Sequence, residues 1–196
     1  MKTRKAVVHR KTRETNIVVE LVLEGSGRSR IRTGLPFLNH MLELLAKHAG
    51  VDLKVNARGD LAVDFHHTVE DIGLTLGEAL DQALGDRSGI VRYGWSYVPM
   101  DDALSRAVVD LGGRPFLVYQ VTHRAKRIRD FDLPLLGEFF QALVVRGRLN
   151  LHIAQLYGRD AHHAYESIFK AVARALAMAC ARDPRVKGVP SSKGRL

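Results

Sequence analysis

The sequence predicts an α/β sandwich built from two copies of one β-β-β-α-β-α unit, each a mixed sheet with two helices on one face. Two observations carry this. Leu35-Pro36-Phe37-Leu38 and Leu133-Pro134-Leu135-Leu136 each open a stretch with helical apolar spacing. Each stretch is followed by a strand-like run and then by a His-His-x-x-Glu that opens a further helix. The copies stay in step to within two residues, Leu35 to His66 against Leu133 to His162.

The elements follow in order. Strand-like alternation begins in the basic start, Met1 to Arg10, and continues through Thr15–Leu23 and Arg28–Thr33 around Gly25-Ser26-Gly27. The first helix runs from Leu35 to about His48, with Pro36 in the first turn, where a missing N–H is harmless. Gly50 is placed to end it, as Gly85 ends the next. Val51–Asn56 reads as a strand, and Asp64-Phe65-His66-His67-Thr68-Val69-Glu70 opens a helix to about Leu84. In the second copy Ile90–Val98, Leu104–Leu111 and Pro115–Val121 alternate, separated by Asp101-Asp102 and Gly112-Gly113. A helix to about Val145, a strand over Leu149–Leu156 and a helix to about Ala181 complete it. The divisions fall at 1–87 and 88–183, packed as one globular unit. The tail, 184–196, is too polar and glycine-rich for a core element, and its composition alone reads as a floppy terminus.

With 196 residues, 46% of them hydrophobic and 26% charged, the chain has the balance of a soluble globular protein. It can bury a core without disulfides. Its single cysteine, Cys180, lies in the alanine-rich stretch Ala171 to Ala181 and reads as a small core residue rather than a nucleophile. That usage suits a reducing cytoplasm. No apolar run approaches the roughly 20 residues of a membrane span, and the start lacks the apolar segment of a secretory signal. The expectation is a soluble cytoplasmic protein without a membrane partner. A formal charge of +9 raises a nucleic-acid reading. The cations, however, are dispersed, and no aromatics interleave them as a stacking platform would require. The basic surface is therefore read as solvated and suited to a small anion, with no nucleic-acid partner.

The chemistry is concentrated in the histidines. His66 and Glu70 are one helical turn apart and share a face, as do His162 and Glu166. An imidazole nitrogen and a carboxylate oxygen so placed can chelate one divalent ion. His67 and His163 point about 100° around the helix and suit an ion held with the pseudo-symmetric partner. Two metal sites are therefore expected. His40 and His152 are candidates to complete the shells, although either alone reads ordinarily as a satisfied or exposed histidine. Six histidines and two carboxylates without a thiolate suit Mn2+, Fe2+, Zn2+ or Co2+. Zinc prefers four ligands, whereas a six-coordinate manganese with four protein ligands leaves room for substrate. His9 and His123 read as surface residues, and His48 lies at a helix C-terminus, where a cation is favoured.

The run from Pro36 to His48, the segment Asp64 to Asp71 and Asp160-Ala161-His162-His163 resemble the imidazoleglycerol-phosphate dehydratase family. So do Arg92-Tyr93-Gly94, Tyr97-Val98-Pro99-Met100-Asp101, Asp130-Phe131-Asp132 and the segment Gly188 to Gly194. The resemblance extends from about Arg10 to Leu196. It implies a manganese-dependent hydro-lyase of histidine biosynthesis that converts imidazoleglycerol phosphate to imidazole acetol phosphate. It also implies two Mn2+ ions per active site, built where subunits meet in a 24-subunit shell. By position, it implies His40, His66, His67, Glu70, His152, His162, His163 and Glu166 as metal ligands. Glu14 would contact substrate, with Glu14 and Glu166 the candidates for acid–base work. Arg92, Arg114, Ser191 and Lys193 would bind the phosphate, the tail closing over it. Three positions depart from the family pattern. Asn39 replaces the usual Asp before His40, implying a weaker acceptor for that ring. Phe65 stands where acidic residues are frequent, and Arg129 stands where Gly is common. The alternative is a dinuclear-metal phosphoester hydrolase.

Overall fold

The computed structural model describes residues 3–194 and residue 196. The first unit comprises β1 (Lys5–Lys11), β2 (Thr15–Val22), β3 (Ser29–Arg32), α1 (Pro36–Ala49), β4 (Asp52–Gly59) and α2 (His66–Leu84). The second opens with β5 (Tyr93–Met100), β6 (Ala103–Asp110) and β7 (Phe116–Gln120). A short hairpin of β8 (Arg127–Ile128) and β9 (Phe131–Asp132) follows, then α3 (Leu135–Gly147), β10 (Asn150–Tyr157) and α4 (Ala161–Cys180). The sheets have matching orders, β1-β2-β4-β3 and β5-β6-β10-β7. In each, the strand after the first helix runs antiparallel to the second strand and parallel to the third. The expected pair of like units, each with a mixed sheet, is what the chain forms.

Period-two burial places one face of each sheet inward: β2 buries Thr15, Ile17, Val19 and Leu21, and β4 buries Leu53, Val55 and Ala57. The helices fill the space between the sheets. α2 packs on β1 and β2, and α4 packs on β5 and β6. Across the middle, α2 meets α3 and α1 meets α4, so each unit covers the other's helices and one core results. The α2–α3 approach is close enough that a Cβ on Gly73 would sit 2.5 Å from the Phe139 carbonyl oxygen. Gly50 ends α1 in the left-handed conformation at φ +70°, as its position predicts.

Three local expectations are corrected, and one element, the β8–β9 hairpin, is added to those the sequence predicts. β5 starts at Tyr93 rather than Ile90, because Ile90 bridges to Arg182 and the backbone turns at Arg92 (φ +75°). The β8–β9 hairpin has strands too short to show any period, and an Arg127–Asp132 ion pair clips it. The start of the tail is anchored: Gly89 N–H donates to Gly188 O (2.8 Å) and the Arg92 guanidinium to Pro190 O (2.8 Å). His48 does not favour a cation, since burial, Lys170 and Arg174 together push its pKa down and override the helix terminus. Cys180 is a core residue as expected, its thiol pushed up to about 12 by burial.

Candidate metal centre

The first turn of α4 is set by Asp160, whose side chain caps it by accepting the His163 N–H at 3.0 Å. His162 and Glu166 then share a face. Leu38, Met41 and Leu42 of α1 are fully buried, and α1 packs against α4 so that His40 emerges beside that face. Glu166, itself buried, is the meeting point. Its Oε1 lies 2.9 Å from His40 Nε2 and 3.1 Å from His162 Nε2, and its Oε2 accepts from Lys170 Nζ at 2.6 Å. The donor atoms of His40, His162 and Glu166 all lie within 4.8 Å of one another. Burial opposes the charge on Glu166, yet Lys170 and the two histidines hold its carboxyl at about 2. A permanently ionised carboxylate with two converging imidazoles is a donor set that fits a borderline divalent ion.

The second histidine of each pair is held differently. His163 Nδ1 donates to Asp102 Oδ1 at 2.8 Å, and His67 Nδ1 donates to Asp60 Oδ2 at 3.0 Å. Those hydrogen bonds raise the pKa of both rings. They also fix the proton on Nδ1 and leave the Nε2 lone pair free, an arrangement of the kind by which carboxylates orient metal-binding imidazoles. Glu14, in the exposed β1–β2 turn, has its carboxylate 3.8 Å from His67 Nδ1. His66 Nε2 and Glu70 Oε2 are 3.8 Å apart, on the solvent side of α2. Among the described residues, only His40, His162 and Glu166 converge as three donors. The Leu-Pro register puts Glu138, exposed on α3, where α1 carries His40. The first-half pair therefore lacks a matching third nitrogen.

The remaining predicted residues lie elsewhere on the chain. His152 is exposed on β10, on the sheet face turned away from the helices, level with Val108 and Val118. Arg92 is paired with Asp110 at 2.7 Å and lies over the Tyr93 ring. Arg114, Ser191 and Lys193 belong to the same end, with Leu196 against Gly113. The Arg92 N–H donates to Ala179 O near the C-terminus of α4, about 25 Å along that helix from His162. One chain thus keeps the phosphate candidates apart from the His40–His162–Glu166 triad. A cleft of about 300 Å³ does adjoin the triad, lined by Pro36, Phe37, His40, His162 and the hairpin residues Ile128, Arg129 and Asp130.

Asn39 does not reach His40. It accepts instead from the Thr33 N–H (3.1 Å) and hydroxyl (2.7 Å), pinning the loop before α1. Arg129 has φ +54°, the left-handed region in which glycine is unstrained. Phe65 stacks at 6.3 Å on Phe131. Sequence reasoning missed Lys170, although its spacing from Glu166 was a signal, and missed Asp60 and Asp102, which lie in turns without periodicity.

Comparison with known proteins bears on this arrangement. The sequence model of the family described as imidazoleglycerol-phosphate dehydratase matches residues 33–176. The imidazoleglycerol-phosphate dehydratase of Thioalkalivibrio sulfidiphilus is 56% identical over 197 residues, covering 100% of both chains. That of Nitrosococcus oceani is 56% identical, over 97% of this chain and 98% of its own. The crystal structure of IGPD from Pyrococcus furiosus superposes with a TM-score of 0.83 at 38% identity, covering 96% of this chain and all of that one. With the family matched across both halves and relatives alike from end to end, this chain belongs to the imidazoleglycerol-phosphate dehydratase family.

Proposed function

We propose that the protein is a cytoplasmic hydro-lyase of histidine biosynthesis that converts imidazoleglycerol phosphate to imidazole acetol phosphate, with two Mn2+ ions at each active site. The observation that carries this reading is the His40–His162–Glu166 triad, held within a chain that is 56% identical to a named dehydratase over its full length. The C–H to be broken adjoins an imidazole and no carbonyl, so the ring must take up the electrons. Bound divalent ions supply the Lewis acidity that lets it do so.

The chain's residues divide the remaining work. Glu166, kept ionised by Lys170, His40 and His162, is a metal ligand and, with Glu14, one of the two carboxylates for the acid–base work. Glu14, exposed beside His67, is free to take the proton and to return one as C–O cleavage releases water. His66, His67, Glu70, His163 and His152 complete the two metal shells, with Asp60 and Asp102 orienting His67 and His163. Arg92, Arg114, Ser191 and Lys193 hold the phosphate and prepay orientation. His152 faces away from the triad, and the phosphate quartet lies at the far end of α4. Each site is therefore completed between subunits of a large homo-oligomer, of 24 subunits in the family pattern.

The test is turnover of imidazoleglycerol phosphate by metal-stripped protein before and after Mn2+ is restored, read from the absorbance of the enolised product in alkali. Product that depends on added metal is expected. No product from protein shown to hold metal would overturn the reading, and release of inorganic phosphate would favour the hydrolase instead.

A further inference from the structure

We infer that Asp71 is a positioning residue that acts through Glu14, one of two equivalent clamps built into the duplicated unit; the inference rests on the acid–base role given to Glu14 above. Asp71 follows Glu70 on α2 and is buried. Its Oδ1 accepts from Arg10 Nε of β1 at 2.7 Å, and its Oδ2 accepts from the Thr15 hydroxyl of β2 at 2.5 Å. One carboxylate thus grips both strands of the hairpin whose turn carries Glu14.

The grip is relayed to Glu14 itself. The Thr15 hydroxyl proton goes to Asp71, so the Thr12 hydroxyl, 3.2 Å away, donates to Thr15. Thr12 Oγ1 in turn accepts the N–H groups of Glu14 (3.1 Å) and Thr15 (2.9 Å). Such chains polarise and stiffen one another. Among the described residues the Glu14 carboxylate makes no hydrogen bond, only the 3.8 Å approach to His67, so the turn alone decides where it points.

The second half repeats the device with different chemistry. Ser167 follows Glu166 as Asp71 follows Glu70, and its Oγ lies 2.6 Å from Ser105 Oγ. Ser167 gives its own proton to Ala164 O (2.8 Å), so Ser105 donates and Ser167 accepts, the same polarity as Thr15 to Asp71. Thr15 pairs with Gly59 and Ser105 with Gln155, and those partners precede His66 and His162 by the same interval. The turn before Ser105 carries Asp102, the partner of His163. Asp102 is also held by the N–H groups of Arg159 (2.5 Å) and Asp160 (3.0 Å), so a neutral serine pair suffices there. Glu14 has no such anchors, and its clamp is the charged one.

The experiment uses the metal-loaded full-length assembly and Thr15→Val, which removes the hydroxyl at nearly constant shape, beside Thr15→Ser, Glu14→Gln and the Thr15→Val/Glu14→Gln double variant. Thr15→Val is expected to lower kcat about 10- to 100-fold with metal content unchanged. It should also speed amide exchange across residues 11–15, and Thr15→Ser should restore both. In the Glu14→Gln background the same substitution should have no further effect on kcat. An equal loss in that background, or unchanged exchange at the turn, would overturn the proposal. Thr12→Val, at the other end of the chain of hydroxyls, serves in the same way should Thr15→Val not fold. Faster exchange in the variant without any wild-type turnover would keep the clamp and remove the reaction.

Discussion

Glu166 shows two opposed effects at one residue. Burial favours its neutral form, but a 2.6 Å ion pair with Lys170 and two imidazole contacts outweigh that and leave a carboxylate fixed in charge. His67 and His163 are tuned the other way, each raised by the carboxylate on its Nδ1. A histidine raised in the folded state stabilises the metal-free fold at pH below its unfolded value, and that contribution is lost as pH rises through the folded one. As the proposed metal ligands, these rings must be neutral to bind an ion. Protons therefore compete with metal at both positions, and affinity falls as pH drops through that raised range. Histidine NMR titration of the metal-free protein should place both midpoints above the usual histidine value, with metal affinity falling over the same interval. Midpoints at or below the usual value would show that Asp60 and Asp102 do not hold the rings as described.

Among the elements, α2 and α3 approach closely, and Gly73 is one of the two α2 glycines, with Gly77, that permit it. Alanine there would favour the helix by about 1 kcal/mol. Its Cβ would meet the Phe139 carbonyl oxygen at 2.5 Å and Ala142 Cβ at 2.9 Å, neither of which can swing aside. Overpacking of this kind costs about 1–3 kcal/mol. Because a backbone oxygen and a Cβ are what the new methyl meets, the upper half of that range applies, and after the helix gain Gly73→Ala is expected to destabilise by about 1–2 kcal/mol, seen as a thermal midpoint lower by several degrees; an unchanged or higher midpoint would show that α2 and α3 can separate freely. Helices and strands of this length are legible because their apolar period persists over several turns or pleats, and the Leu-Pro and His-His landmarks fixed their order. The β8–β9 hairpin was not legible, since two-residue strands carry no period, and yet it walls the cleft beside His40. The same limit hid Asp60 and Asp102: which turn carboxylate meets which imidazole depends on how sheet and helix are brought together, and no spacing along the chain encodes it. His40 was legible only as a candidate, and the α1–α4 contact is what joins it to Glu166.

At the scale of the whole molecule, the two sheets present unlike outer faces. The first exposes Lys5, Arg30, Arg32, Lys54, Asn56 and Arg58 with Val7 among them, a mainly charged surface. The second exposes the large apolar side chains Tyr93, Trp95, Tyr97, Val108 and Phe116, a face of the kind that partners cover. His152 stands inside that apolar face, in a row with Trp95, Val108 and Val118 by strand register. A histidine in a face of this kind meets a metal only when another subunit brings one. The proposed sharing of sites then has a consequence that no single-chain site shares. His152→Ala and Glu166→Gln should each be inactive as pure assemblies. When the two are co-assembled in equal amounts, sites that take the triad from one subunit and His152 from another recover both ligands in about one quarter of cases. Activity near that fraction of the wild type is expected from the mixture, with intact oligomer seen by sedimentation. A mixture as inactive as its components, at unchanged oligomer size, would confine the site to one chain and return His152 to an ordinary surface position.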